Sequence, residues 1–319
     1  MAFLTVCLNP TIQKTLRFST IIPGTVNRAA SHRVDVSGKG INVTRVLTQL
    51  GKKALHLTQL GGVMKPLFLS LCEKDGVSVE WAESGSEIRF CYTALTDNAV
   101  TELVEESQPA AAGTEDRIID KFDTLIKEGF KDTSVRGAET ESIAFNTIII
   151  SGTKAAGFSD NIYPYMTKKA KTEGLRVILD VKSNDLINCL KHEPDIIKPN
   201  LFEFASTFAP DLIKDNDAPI NDDKAKEKIK SAVIDIALKY RCLVILTNGS
   251  REITAANKDN FYEIDIPVVK AVNTIGCGDA FTAGLASAID NGAAIKEAVN
   301  EGIRCGALNA RLEKPGVIM

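Results

Sequence analysis

Short apolar runs alternate with stretches of helical period along most of the 319-residue chain. Residues 3–8, 54–60, 146–150, 176–180, 195–198 and 242–246 are brief, aliphatic or β-branched, and end at small or polar residues, a pattern that predicts strands. Residues 42–50 set Val43, Val46, Leu47 and Leu50 on one helical face ahead of Gly51. Residues 65–75 and 161–173 are likewise helical and stop at Gly76 and Gly174. Over 223–240, Ala225, Ile229, Val233, Ile236 and Tyr240 stay in helical register, and two last helices are predicted over 279–290 and 295–310. A strand over 262–272 leads into the first of these. Such alternation predicts an α/β fold, a mostly parallel central sheet with helices on both faces.

One region breaks the pattern. Residues 88–95 and 100–104 read as two strands around Thr96-Asp97-Asn98-Ala99, with Ile88, Phe90, Tyr92 and Ala94 on one face. Residues 14–18 and 26–36 alternate similarly, so a small β layer is expected beside the main sheet, a lid formed from about 13–36 and 86–106 of one domain spanning 1–319. The polar stretch 131–142 reads as a surface loop.

Composition narrows the function. Lys plus Arg number 38 against 41 Asp plus Glu, a net charge of -3, without the basic excess of a nucleic-acid or membrane-surface binder. Seven cysteines without a CxxC pair fit free thiols in a reducing cytoplasm rather than a disulfide framework. His32, His56 and His192 form no zinc motif. The apolar start lacks a basic segment and breaks at Asn9-Pro10, so it reads as a buried strand, and no apolar run is long enough to span a bilayer.

In open α/β sheets ligands bind beyond the carboxyl ends of the strands. Asn9, Gly61-Gly62, Ser151-Gly152, Asp180, Lys198-Pro199-Asn200 and Thr247-Asn248-Gly249 collect there, although strand-to-helix turns also use such residues for geometry alone. The sharpest motif is Asn273-Thr274-Ile275-Gly276-Cys277-Gly278-Asp279, where two glycines before a helix let backbone N–H groups form an anion site. Asp279 at the helix start would repel phosphate, which suits a base that takes a proton from an attacking hydroxyl; an ordinary Asp N-cap is the competing reading. Cys277 sits where thiol pKa values fall, or else packs as a small residue. Ser37-Gly38-Lys39-Gly40-Ile41-Asn42 before a helix offers donors and a lysine to a second anion, yet it is no Walker A. No dinucleotide fingerprint follows the first strand, and no protein-kinase set is present.

Taken in order, Leu8-Asn9-Pro10, Val26-Asn27-Arg28, Gly38-Lys39-Gly40-Ile41-Asn42, Arg89, Thr101-Glu102-Leu103, Ser151-Gly152, Lys198-Pro199-Asn200 with Glu203, and Gly276-Cys277-Gly278-Asp279 resemble the ribokinase-like, or PfkB, carbohydrate kinases over essentially the whole chain. The Leu-Asn-Pro opening and Val-Asn-Arg look like the phosphosugar branch of 1-phosphofructokinases and tagatose-6-phosphate kinases. That resemblance implies ATP and Mg²⁺ as cofactors and a sugar phosphate as partner. Asp279 would be the base, with the N–H groups of Gly276, Cys277 and Gly278 as the hole for γ-phosphoryl charge. Lys198, Asn200, Glu203, Thr247 and Gly249 would line the nucleotide, with Glu203 toward the metal. Gln13, Arg28, Gly38, Lys39, Asn42 and Arg89 would hold the sugar phosphate. The β layer would be the lid that excludes water and pairs two copies into a homodimer.

Several positions depart from the family pattern: Gln13 for Asp, Ser37 for Gly, Thr153-Lys154-Ala155-Ala156-Gly157 for Ser-Leu-Pro-Pro-Gly, Thr247-Asn248-Gly249 for Ser-Leu-Gly, and Cys277 for Ala. Most lie on the sugar side. Fructose 1-phosphate is the first expected substrate, with tagatose 6-phosphate and fructose 6-phosphate next. A kinase of an unphosphorylated sugar or nucleoside, and a sugar-phosphate-binding protein of low turnover, are the alternatives. Arg28 and Arg89 disfavour the first alternative, because two guanidinium groups suit a phosphate monoester; each could also be a solvated strand charge. Retention of Asp279 disfavours the second.

Overall fold

The computed structural model describes residues 1–131, 142–212 and 223–319, so nearly all of the loop expected over 131–142 lies outside the described residues. The chain opens with β1 (Ala2–Val6), then β2 (Thr11–Arg17), β3 (Ser31–Ser37), α1 (Lys39–Gln49) and β4 (Ala54–Leu60). Next come α2 (Lys65–Lys74), β5 (Ser78–Glu83), β6 (Arg89–Leu95), β7 (Val100–Val104) and α3 (Thr114–Glu128). The second half runs β8 (Phe145–Ser151), α4 (Ile162–Thr172), β9 (Arg176–Asp180), α5 (Ser183–Leu190), β10 (Ile196–Ile197) and α6 (Leu201–Phe208). It closes with α7 (Asp223–Tyr240), β11 (Leu243–Leu246), β12 (Ile253–Ala256), β13 (Phe261–Ile264), α8 (Cys277–Asp290) and α9 (Ile295–Ala310).

Nine strands form one sheet in the order β13-β12-β11-β10-β9-β8-β1-β4-β5. The seven strands from β11 to β5 run parallel, and β12 and β13 close one edge antiparallel. Alternation along β1 separates two cores. Ala2, Leu4 and Val6 enter the layer with Phe122, Tyr163, Met166 and Phe204, while Phe3 enters the layer with Val46, Leu47, Phe281 and Leu285. Parallel strands are covered on both faces, and β1 and β4 are accordingly buried at every position. The chain starts in mid-sheet at β1, builds outward through β4 and β5, then returns to build the other way from β8. Strand order therefore reverses between β1 and β8, which opens a crevice beyond their carboxyl ends.

The second sheet has four strands in the order β3-β2-β6-β7. Its burial inverts the usual rule. The face bearing Thr11, Gln13, Thr15, Asp35, Cys91 and Thr93 is buried, while Phe90, Tyr92 and Ala94 on the opposite face are only half-buried and Leu103 is exposed. Alternation correctly put Phe90, Tyr92 and Ala94 on one face of the strand, but polarity could not show which face the protein covers. Arg17 pairs with Glu313 at 3.3 Å, and Lys314 Nζ lies 3.5 Å from Asp35, so the polar face meets the C-terminal segment.

Other expectations are corrected. Of the strand read over 262–272, only Phe261–Ile264 forms, because Pro267 has no N–H for a ladder. β5, β12, α3, α5 and α6 had no clear period in the sequence. Both glycine motifs straddle a helix start rather than lying wholly ahead of it, with Gly38 and Gly276 as the N-caps of α1 and α8 and the second glycine of each in the first turn.

Candidate active site

Beyond β1 the chain carries Cys7, Leu8 and Asn9 into the crevice, and three glycines close around the Cys7 thiol. A Cβ on Gly38 would lie 3.8 Å from its sulfur and one on Gly152 3.4 Å. Gly40 has no room at all: a Cβ there would stand 2.5 Å from His56 Cε1 and 2.8 Å from Cys7 Cβ. His56 cannot yield, because its Nδ1 lies 2.8 Å from Thr5 Oγ1, which lies 2.6 Å from Thr44 Oγ1. Burial pushes the imidazole down to about 3, so it is neutral. The glycines thus let the first turn of α1 sit directly on β1 and β4, and this placement aims Lys39 and Asn42 into the crevice.

Four charged groups meet there. Asp180 ends β9 almost wholly buried, with Lys39 Nζ 3.1 Å from one oxygen and Lys198 Nζ 3.1 Å from the other. Burial pushes its carboxyl up, but the two ammonium groups more than reverse this and hold it below its ordinary value. Lys39 also lies 3.7 Å from Glu203 Oε1, and its side chain is 38% exposed. Burial opposes its charge, yet Asp180, Glu203 and Asp279 together raise its pKa. Lys198 reaches the helix that carries Gly278: a Cβ on Gly278 would lie 3.8 Å from its Nζ.

That helix is α8. Gly276 caps it at φ 82°, a left-handed conformation suited to glycine, and a Cβ there would stand 2.8 Å from Gly316 N. Asp279 is the third residue of the helix, it is buried, and no side-chain cap is made at this terminus, so the plain N-cap reading of Asp279 does not hold. Its Oδ2 accepts a hydrogen bond from Asn42 Nδ2 at 2.8 Å. Burial is the largest influence on its carboxyl; with Asp180 it outweighs Lys39, Asn42 and Lys198 and raises the pKa to about 6. A carboxyl with this value is mostly ionised at neutral pH and close to the optimum for proton transfer.

The neighbouring residues are less uniform. The Cys277 N–H turns back to Thr274 O at 3.3 Å, so among the described residues Gly276 and Gly278 keep the freer donors. The Cys277 thiol does not follow the helix-terminus expectation: burial pushes its pKa up, and its sulfur accepts from Asn309 Nδ2 at 3.4 Å. Asn200 and Glu203 form a reciprocal capping box on α6, leaving Glu203 Oε1 toward Lys39. Thr247 bridges to Asn200, and Gly249 follows with φ 61° at the end of β11. Arg89 starts β6 with NH1 3.2 Å from Glu105 O and a buried Nε that finds no partner among the described residues. Gln13 is buried and its Nε2 donates to Thr93 Oγ1. Arg28 stands apart, exposed on the loop that Asn27 folds by bonding Ile22 and Thr25, with no hydrogen bond or ion pair of its own among the described residues. Lys154 is spent on Asp160 and Asp185, so it pins its loop to α5.

Sequence reading left Asp180 as one polar strand end among several; only tertiary packing shows it as the anion shared by two lysines. An α/β sheet with cationic groups and a helix N-terminus at its switch point is built to receive an anionic ligand. Residues 5–317 match the pfkB family carbohydrate kinase, and the chain belongs to that family of ATP-dependent sugar kinases. It is similar to the tagatose-6-phosphate kinase of Staphylococcus epidermidis, 27% identical and covering 99% of this chain and 94% of that protein. Its fold is similar to that of phosphofructokinase-2 from Escherichia coli, with a TM-score of 0.81, 19% identity and coverage of 97% of this chain and 93% of that one. A possible 1-phosphofructokinase from Thermotoga maritima also gives 0.81, at 17% identity and coverage of 98% and 93%. Among the described residues no helix is long and apolar enough to cross a membrane.

Two outcomes follow from this geometry. Gly40→Ala must push the first turn of α1 off His56 and Cys7, and overpacking of this kind costs about 1–3 kcal/mol; a urea midpoint equal to wild type would show that the contact relaxes freely. Asp279, raised in the folded state, binds its proton more tightly there than in the unfolded chain. Its contribution to stability is therefore full below pH 4 and is lost as pH rises through about 6. Asp279→Asn is accordingly expected to be more stable than wild type at pH 8, on the order of 1–3 kcal/mol, and nearly equal to it at pH 4. Thermal melts at the two pH values check this.

Proposed function

We propose that this protein transfers the γ-phosphoryl group of ATP to a hydroxyl of a phosphorylated ketohexose, with Asp279 as the general base. The observation that carries the reading is the buried Asp279 carboxylate, raised to about 6 at the N-terminus of α8 and held by Asn42. Asp279 takes the hydroxyl proton, the oxygen attacks phosphorus in line, and ADP leaves with the bond electrons. Lys39, Lys198 and the N–H groups of Gly276 and Gly278, with Cys277 assisting, meet the charge that spreads over the transferring group. Asp180 holds both lysines aimed into the crevice.

The residues present fit Mg²⁺ held mainly by nucleotide phosphates and water. Among the described residues no group of three or more His, Cys, Asp or Glu could cage a metal, whereas Mg²⁺ in kinases takes only one or two carboxylates. Glu203, with Asn200 fixing it, is the residue that would reach the ion's water shell, where the ion would neutralise phosphate charge. Thr247 and Gly249 would flank the nucleotide.

On the acceptor side, Arg89 with its unpartnered Nε, Lys39, Asn42 and Gly38 would hold the sugar phosphate. Gln13 would contribute to the polar face above it, and Arg28 would reach it only if its loop folds inward. The tagatose-6-phosphate kinase relative moves tagatose 6-phosphate ahead of fructose 1-phosphate and fructose 6-phosphate as acceptor. A kinase of a free sugar would leave the Arg89 Nε without a partner. The four-stranded sheet serves as the lid of one kinase domain: its polar face covers the crevice, and its outer face presents Val34, Tyr92 and Leu103. An apolar outer face of this kind suits a second copy of the chain.

Asp279→Asn is expected to lower kcat by about 10²–10⁴ while ATP still binds; a coupled assay over the three ketohexose phosphates and free fructose measures it, and near-normal turnover removes Asp279 as the base. Arg89→Ala is expected to weaken sugar-phosphate binding by about 1.5–3 kcal/mol and leave the KM for ATP unchanged; equal losses on both substrates make Arg89 structural. Leu103→Lys is expected to turn a homodimer into a monomer in sedimentation, and a wild-type monomer contradicts the pairing.

A further inference from the structure

Asn42 can serve Asp279 only if its amide is held one way round, with Nδ2 rather than Oδ1 against the carboxylate. The holder is Arg45, one turn further along α1. Its side chain is 3% exposed, and its guanidinium finds acceptors on four separate parts of the chain. NH1 donates to Asn42 Oδ1 at 3.0 Å and to Pro315 O at 3.0 Å. NH2 donates to Val36 O at 2.6 Å and lies 2.9 Å from Asp75 Oδ2, and Nε donates to the same Asp75 oxygen at 3.0 Å. All five N–H donors have somewhere to go, so the planar fork has one orientation. Lys314 pairs with the other Asp75 oxygen, and the Gly316 N–H donates to Asn309 Oδ1 at 2.7 Å. The C-terminal turn that supplies Pro315 O is thereby braced on both sides.

We propose that Arg45 is a positioning residue: by occupying Asn42 Oδ1 it turns the Asn42 N–H onto Asp279, and it ties that orientation to Asp75, to the end of β3 and to the 314–316 turn. An Asn42 amide released from Arg45 could rotate and set its own oxygen against the carboxylate, exchanging an attraction for a repulsion. Arg45 touches neither the reacting hydroxyl nor phosphate; it acts through Asn42. The inference rests on the reading of Asp279 as the base, but the link from Arg45 to Asp279 can be read independently of turnover.

The charged and titratable groups facing Asp279 are Lys39 of α1, Asp180 of β9, Lys198 after β10, Cys277 of α8 and Cys7 after β1. Those facing Arg45 are Asp75 and Cys72 at α2 and Asp35 of β3. Arg45→Lys keeps every one of these, and keeps the positive charge, while losing the fork. The Asp279 carboxyl is then expected to titrate about one unit higher in carboxyl ¹³C NMR of the whole protein, because a donor to the charged form has been lost. The acid limb of kcat/KM moves with it: activity at pH 6 falls about fivefold relative to wild type and at pH 8 hardly changes. Asp75→Asn, which loosens the anchor of Arg45 without changing its charge, shifts the titration in the same direction if Arg45→Lys fails to fold. In an Asn42→Ala background neither substitution adds a further shift.

An unmoved Asp279 titration in folded Arg45→Lys and Asp75→Asn overturns the proposal, as does a shift that persists in full without Asn42. A merely structural Arg45 would lower the melting temperature and leave the titration in place. Full turnover in Asp279→Asn would instead remove the base assignment, and the NMR titration would still report whether Arg45 acts on Asp279 through Asn42.

Discussion

Asp180 sits almost wholly out of water with two lysines on its two oxygens, and much of the site depends on that arrangement. A lone carboxylate at such depth would take up a proton. With a lysine on each oxygen it stays ionised, and the pairs fasten three separate elements: the end of β9, the first turn of α1 through Lys39, and the segment after β10 through Lys198. One of these cations leads on to Glu203 and the other to the first turn of α8. The positive end of the crevice is therefore fixed before any ligand arrives, which reduces the reorganisation needed when phosphoryl charge develops.

Asp279 lives under the opposite balance. It is as deeply buried, but its nearest donor is the neutral amide of Asn42, and Asp180 adds repulsion. The result is a carboxyl at about 6 beside one held below its ordinary value. Two carboxylates whose environments push their pKa values apart are suited to different tasks: Asp180 anchors the two lysines, and Asp279 fits the proton transfer proposed for it. That division carries a cost in stability, since ionising Asp279 above pH 6 weakens the fold. A set of contacts remote from the chemistry, Arg45 with Asp75 and the 314–316 turn, holds Asn42 in the one orientation that limits this strain.

The four-stranded sheet shows the same preference for order over simple burial. It encloses Gln13, Thr15, Asp35 and Thr93 and leaves Phe90, Tyr92 and Leu103 half-buried or exposed. Most of these buried polar groups are paired, Gln13 with Thr93, and Asp35 with Arg33 at 2.6 Å and with Lys314, while the buried Thr15 hydroxyl has no partner among the described residues. A polar inner face is what the proposed lid over a sugar phosphate would require.

Local chemistry in the sequence was enough to place β1, β4, β8, β9 and β11, the helices with a clean 3.6-residue period, and both glycine turns. These signals are carried by neighbours in the chain: a run of β-branched residues, a glycine stop, two glycines before an Asp. It was enough, too, to bring Lys39, Asn42, Lys198 and Asp279 forward as candidates and to relate them to one family. Tertiary structure alone decided what depends on partners far apart in the chain. Asp180 became a shared counter-ion only when residues 39 and 198 arrived beside it, and the Cys277 thiol moved up rather than down because packing outweighed the helix terminus. The buried face of β6 was set by what covers it, which alternation cannot encode. Arg45, an ordinary charge on an amphipathic helix when read along the chain, acquired its role from Val36, Asp75 and Pro315, which only folding assembles around it.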